Sequence, residues 1–361
     1  MLTLGTMRKF RIRPVWADSL GAKSFCTLVE TPDVSILIDP GVAIMHKSFP
    51  APRDLKARWR DEGRRAVISA AEKAQVVVIT HYHYDHFTDF DERIYRGKLI
   101  VAKSPNEYIN DSQRRRAIHF YSNLFAMDGV SLEDLLEDPA EKEYPDPLEA
   151  LPKASSRDYG DYWERKRELL EKGRMWFRNR VIKWNGYRRV PEYRGRSFQL
   201  VFAENRQLTF GGTKLRLSGP LFHGIEFSRV GWVVSLVIEY SGLKLLYTSD
   251  LNGPIIEDYA EWIIREKPSI LLLDGPATYT LGYMLNLINL KRAIENISRI
   301  IVEAHPELIV LDHHLPREPR FKERLSDIYS LAAREHVKVL TVAECMGIKP
   351  AVLRKMSTDS T

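Results

Sequence analysis

The stretch QVVVITHYHYDHFTDF, residues 75–90, limits what this chain can fold into more than any other. Its four apolar residues, Val76 to Ile79, are all β-branched and have no polar alternate. Such a run suits a strand buried on both faces. The run ends at Thr80, and the next six residues hold His81, His83, Asp85 and His86. In extended backbone, residues two apart project to the same side. His81 and His83 therefore point together and can share one metal ion. Asp85 and His86 fall where the strand must turn, within reach of a second ion. A solvated loop of histidines would need this cluster to arise by chance in a chain with ten histidines. A ligand set this dense reads as a metal site.

Elsewhere the chain points to an ordinary water-soluble protein. Of its 361 residues, 44% are hydrophobic and 28% charged, and no apolar run approaches the length that spans a bilayer. Residues 1–6 read as a dispensable start without a secretory hydrophobic region. Cys26 and Cys345 are the only cysteines, too few for a disulfide framework or a thiolate zinc cluster. The expected setting is cytoplasmic, with no membrane partner, and nothing in the sequence sets the oligomeric state.

Other apolar segments repeat the pattern of a strand that ends on a donor. VSILIDPG, 34–41, ends on Asp39 in an Asp-Pro-Gly turn. LKLLYTSD, 243–250, ends on Asp250, residues 270–274 end on Asp274, and 307–312 run onto His313 and His314. His223 lies within GPLFHG, 219–224. Helices are expected in the second half of 45–74, over 281–300 and over 321–335. Each half of the chain thus delivers an Asp and a His at strand ends. Two sheets packed face to face, with the donors along one shared edge, account for that repetition.

Residues 104–197 stand apart. Residues 131–150 carry eight acidic side chains against one Lys. Residues 157–196 hold thirteen Arg or Lys against six Asp or Glu, one net charge more than the +6 of the whole chain. Eight aromatics are interleaved there: Tyr159, Tyr162, Trp163, Trp176, Phe177, Trp184, Tyr187 and Tyr193. Cations with flat rings can bind single-stranded nucleic acid. The same pattern also describes an amphipathic helix with buried rings and solvated charges.

His81-x-His83-x-Asp85-His86 resembles the signature of the metallo-β-lactamase superfamily. The resemblance implies an α+β, four-layer αββα sandwich, one domain over 1–361 with a helical insertion at 104–197. It implies His81, His83 and His223 as ligands of one metal ion, Asp85, His86 and His313 of a second, and Asp250 bridging them. Asp85 and Asp250 are then the carboxylates at the reacting centre. Asp39 would support the site by hydrogen bonds, with Asp274 and His314 beside it. His313 is preferred over His314 because it is nearer the strand and stands four residues before Arg317, a His-x-x-x-Arg spacing found in ribonuclease Z-like members. Longer blocks are similar to an archaeal family of this fold whose substrate is unassigned. These are SLGAKSF at 19–25, INDSQRRRA at 109–117, DGPATY at 274–279 and LDHHLPRE at 311–318.

The implied chemistry is hydrolysis. Two divalent ions about 3.5–4 Å apart lower the pKa of a bridging water toward about 7 and supply hydroxide as nucleophile. Zinc suits the donors best, with manganese or iron as alternatives. A phosphodiester in nucleic acid or nucleotide is the preferred substrate; an ester, thioester or lactone is the alternative, and a non-catalytic metal-binding protein the third reading. Lys103, Arg114, Arg115 and Arg116 are candidates to grip an anionic substrate.

Overall fold

A computed structural model describes residues 4–7 and 9–354. Residues 1–3 of the opening stretch lie outside the described residues. Leu4–Met7 forms an edge strand, β1, paired with β2. The first sheet continues with β2 (Phe10–Ala17), β3 (Phe25–Glu30), β4 (Ser35–Ile38), β5 (Val76–Ile79), β6 (Lys98–Ala102), β7 (Tyr193–Arg194) and β8 (Phe198–Phe202). Among the described residues its spatial order is β1-β2-β3-β4-β5-β6-β8-β7.

The second sheet uses β9 (Gln207–Phe210) and β10 (Thr213–Leu217). A short pair, β11 (Leu221–Phe222) and β12 (Trp232–Val233), intervenes before β13 (Leu236–Tyr240), β14 (Leu243–Tyr247), β15 (Ile270–Leu273), β16 (Leu308–Leu311) and β17 (Lys338–Leu340). The order is β17-β16-β15-β14-β13-β10-β9.

Alternation along the strands explains the layers. Val76 and Val78 face a core shared with Leu236, Ile238, Leu245 and Leu272 of the other sheet. Val77 and Ile79 face the opposite way, onto Phe120 and Leu124 of a helix. Every residue of β5 is therefore buried, which is why the run has no polar face. The outer face of the second sheet does the same: Leu246, Leu271 and Ile309 meet Ile263 and Ile297. Helix, sheet, sheet and helix stack as the four-layer αββα sandwich that the sequence implies.

The longer helices are α1 (Arg53–Ala71), α2 (Asp111–Ala126), α3 (Trp163–Asn185), α4 (Glu257–Glu266) and α5 (Leu287–Arg299). The helix expected over 281–300 begins later because Asn286 caps it, accepting from the Asn289 N–H, while Thr278–Thr280 is a 3-10 turn. The one expected over 321–335 is broken at Leu325, which leaves helical backbone angles between Phe321–Arg324 and Ser326–Arg334.

Some rings of the basic segment turn inward, while Trp163 is 43% exposed. Trp184 and Phe177 are buried, and Trp176 stacks on Trp232 with centroids 5.3 Å apart. Arg180 is buried against Asp111 at 2.6 Å. Part of the cation-and-ring pattern drawn from sequence is thus used in packing α3 onto the sandwich. Among the described residues, no helix is long and apolar enough to cross a membrane. Both cysteines are buried and free.

Candidate metal centre

β4, β5 and β6 run parallel, as do β14, β15 and β16. Donors that follow these strands therefore emerge at one end of the sandwich, where ligands gather in sheets of this kind. Asp39, Ser249 and His313 all adopt positive φ, at 48°, 55° and 64°. Such backbone costs about 1–3 kcal/mol per residue and concentrates where a side chain must be aimed.

Two donor groups result. His81, His83, His223 and Asp250 form one, and Asp85, His86 and His313 form the other, with donor atoms in each group within 4.8 Å of one another; a third set, Asp250, His313 and His314, meets the same limit. Asp250 faces both. Its Oδ2 lies 3.4 Å from His81 Nε2 and 3.0 Å from His223 Nε2. Its Oδ1 lies 3.0 Å from His86 Nε2 and 3.4 Å from His313 Nε2. The structure therefore brings together all seven residues expected as ligands.

Hydrogen bonds behind the imidazoles fix which nitrogen faces inward. Asp39 Oδ2 stands 2.8 Å from His86 Nδ1 and also accepts from the Thr80 and Tyr247 hydroxyls at 2.7 Å. Asp18 Oδ1 stands 3.1 Å from His313 Nδ1. With Nδ1–H donated to these carboxylates, the two Nε2 atoms turn lone pairs toward one another at 3.0 Å. Asp250 Oδ1 is buried there without a hydrogen-bond partner among the described residues. Lone pairs and an orphaned carboxylate oxygen at one point repel unless protons or a metal cation stand between them. The donors fit divalent metal.

The acid–base balance agrees. Burial opposes a charge on His86, but Asp250 and Asp39 outweigh it and raise its pKa well above the ordinary value. His313 is pushed to about 10, with Asp18 and Asp250 overcoming burial. His81 is held at about 4 by burial and by His86, against the pull of Asp250. Burial works against the charge of Asp85, yet His86, His313 and Arg317 hold it well below the carboxylate range. At pH 7 the metal-free protein should therefore carry protons on His86 and His313 that metal must displace. Loading at pH 7 should release protons, and affinity should fall as pH falls. The dependence of calorimetric heat on buffer ionisation enthalpy measures this; no release at pH 7 would contradict it.

His314 was expected to be structural, and it lies beside the donors. Its Nδ1 is 3.1 Å from Asp274 and its Nε2 is 3.7 Å from Asp250. Asp274, raised well above the carboxylate range by burial and by Asp250, also accepts from the Asn252 N–H at 2.6 Å. Its place is behind His314 and the Asp250 loop.

The substrate-gripping expectations need correction. Lys103 is fully buried and does not line the cavity at the centre; its ammonium pairs with Glu204 at 2.5 Å. Arg114 stacks on Tyr187, 3.7 Å from the ring centroid, and Arg115 is exposed. Arg116 does line the cavity, which has a volume of about 470 Å3.

Two residues were missed. Asp18 closes β2 as Asp39 closes β4, and that repeated strand-end pattern could have revealed it. Lys23, in the same connection, reaches the cavity wall and carries no comparable signal.

Gly41 is a sensitive point. A Cβ there would stand 2.4 Å from Phe87 N and 2.5 Å from His86 N, both rigid backbone. Gly41→Ala is expected to cost about 1–3 kcal/mol and to lower the content of bound metal, read by elemental analysis of the folded variant. Unchanged metal and melting temperature would refute the tight fit.

Comparisons with known proteins follow the same line. The description "Metallo-beta-lactamase superfamily" matches residues 21–153. The chain is similar to a UPF0282 protein of Methanopyrus kandleri, 31% identical over 357 residues, covering 95% of this chain and 96% of that one. A UPF0282 protein of Korarchaeum cryptofilum is 30% identical over 341 residues, covering 92% and 88%. Among solved structures, the metallo-beta-lactamase fold protein YhfI from Bacillus subtilis is 15% identical, covering 89% and 88%, with a TM-score of 0.36.

Proposed function

Since the chain belongs to the UPF0282 family of archaeal proteins, within the metallo-β-lactamase superfamily, we propose that it is a metal-dependent hydrolase holding two divalent ions, with a phosphodiester as its preferred bond. The observation that carries this is Asp250, whose two oxygens each face a separate set of imidazoles. Zinc, manganese or iron bound there would lower the pKa of water toward about 7 and polarise the bond to be cut.

The remaining work belongs to the chain itself. Asp39 and Asp18 hold His86 and His313 in one tautomer and orientation. Arg317, buried, joins Asp18, Asp85 (3.3 Å) and the Tyr279 hydroxyl (3.0 Å), so it fixes the side of the cavity on which Asp85 sits. Lys23, Arg116 and Arg317 all border the cavity, and this excess of cations supports an anionic substrate. A volume of about 470 Å3 suits a small molecule better than a polymer. With Trp176, Phe177 and Trp184 turned inward, a nucleotide-sized phosphodiester is favoured over a nucleic-acid strand.

An ester, thioester or lactone is the second reading, favoured by the apolar wall of Ile225, Val230, Ile255, Met284 and Leu285. The deciding experiment is a screen of metal-loaded protein against phosphodiester, ester and lactone model substrates. Phosphodiester cleavage that disappears on chelation is expected. Cleavage of esters or lactones alone would transfer the assignment to the second reading, and no cleavage of any class would refute the hydrolase.

A further inference from the structure

We infer that the cavity takes a substrate bearing a second anionic group, phosphate or carboxylate, held by Lys23 and Arg116 beside the bond to be cut. The inference deepens the proposed function and rests on it for the position of that bond.

Lys23 is placed by its backbone. Its N–H donates to Ala43 and its carbonyl accepts from Ala43, both at 2.9 Å, so the residue is fixed at the cavity wall while its side chain remains free to reach inward. Among the described residues, no carboxylate lies within ion-pair distance of its ammonium. Burial and Arg317 lower its pKa, while Asp85 and Asp18 pull the other way. Arg116 comes from α2 on the other side of the Asp85 turn. Its guanidinium lies over the Tyr84 ring, 5.3 Å from the centroid. Its Nε is buried without a hydrogen-bond partner among the described residues, and Nη2 makes one long bond of 3.4 Å to Ser112. No carboxylate pairs with it among the described residues.

Half-buried cations without acid partners are costly unless something else neutralises them. Arg317 is already committed to Asp18, Asp85 and Tyr279. Asp85 feels Arg317 directly, and both Lys23 and Arg116 lie within its electrostatic reach. If Asp85 is engaged by metal, its charge is not available to either of them. Lys23 and Arg116 stand outside both donor groups. The scissile group therefore belongs to the donor groups, and these two cations are left for a further anion. Guanidinium and ammonium differ in geometry but both serve phosphate and carboxylate.

Non-hydrolysable probes test this by calorimetry on metal-loaded protein. Methylphosphonate carries one anionic group, methylenediphosphonate two phosphonates, and 3-phosphonopropionate a phosphonate and a carboxylate. At least one two-anion probe should bind tenfold or more tightly than methylphosphonate, and the gain should shrink as salt rises. Preference for the diphosphonate assigns a phosphate as the second group; preference for the phosphonopropionate assigns a carboxylate. In Lys23→Met/Arg116→Gln the gain should vanish, with metal content unchanged, while Lys23→Arg should retain most of it. A native protein without the gain, or a double variant that keeps it, overturns the inference. Protein that shows the gain yet hydrolyses no ester would support the anion subsite and refute the hydrolase reading alone.

Discussion

Asp250→Asn is expected to lose at least one of two metal ions and essentially all hydrolysis, while the protein remains folded. The substitution keeps nearly the same shape. It removes one negative charge from the point where four imidazole Nε2 atoms lie within 3.0–3.4 Å of the carboxylate. An amide also puts an N–H₂ group toward one set of nitrogen lone pairs, which repels rather than binds a cation on that side. The comparison is Asp274→Asn. Asp274 touches His314 and the backbone N–H groups of Asn252 and Gly253, and none of the seven expected ligands. Its amide can still accept from Asn252, so this variant should keep both ions and lose at most part of the rate. Metal stoichiometry of the two folded variants, measured side by side, decides the matter. If Asp250→Asn holds two ions and Asp274→Asn does not, their roles must be exchanged.

Arg292→Met should be the most destabilising single change away from the centre. Arg292 is wholly buried on α5 and binds Glu226 at 2.5 Å and Glu257 at 2.7 Å. Lys166 of α3 joins the network through Glu226 at 2.7 Å, and Arg157 joins through Glu257 at 3.0 Å. Burial disfavours the charge of Glu226, yet Arg292 and Lys166 hold its carboxyl down at about 2. Removing the shared cation leaves two buried carboxylates with one partner each. Loss of one member of a buried pair costs roughly 3–5 kcal/mol, on the order of 10 °C in melting temperature for a chain of this size.

The consequence should reach the donors, because Glu226 lies three residues beyond His223 in a loop clamped between α3 and α5. That clamp is tight: a Cβ on Gly173 of α3 would stand 2.6 Å from the Phe227 side chain. Thermal unfolding of the metal-free and metal-loaded variant should show both a lower melting temperature and a smaller gain on adding metal. Replacing Glu257 by Gln in the same chain should restore part of the stability, since one buried carboxylate is removed while Glu226 keeps Lys166 as its partner. A melting temperature equal to that of the native protein would refute the network's role.

The local part of the centre was legible in the sequence because it depends on covalent spacing. His81 and His83 share a side by the two-residue period of extended backbone, and Asp85 and His86 follow at the turn. The run Val76 to Ile79 announced burial on both faces, and strands that end in Asp39, Asp250 and His313 announced one shared edge. The four-layer sandwich followed from that repetition and from the resemblance it carried.

What tertiary structure alone decided are relations between distant residues. His86 and His313 stand 227 positions apart, and their approach to 3.0 Å depends on the packing of two sheets. Asp18 lies behind the Nδ1 of His313, and Asp274 lies behind the Nδ1 of His314. Lys103 ends β6 in the same manner as residues that became donors. Its neighbour β8 runs parallel in register, Ala102 opposite Phe202, and delivers Glu204 at the same end to neutralise it. The aromatics of α3 could be assigned to solvent or core only once Trp232 supplied a partner for Trp176. Lys23 shows the opposite outcome, a cation with no carboxylate at ion-pair distance among the described residues, and a sequence records neither the presence nor the absence of such a partner. Periodicity is written in the chain because backbone geometry is local; pairing is not, because it depends on what the rest of the fold brings within a few ångströms.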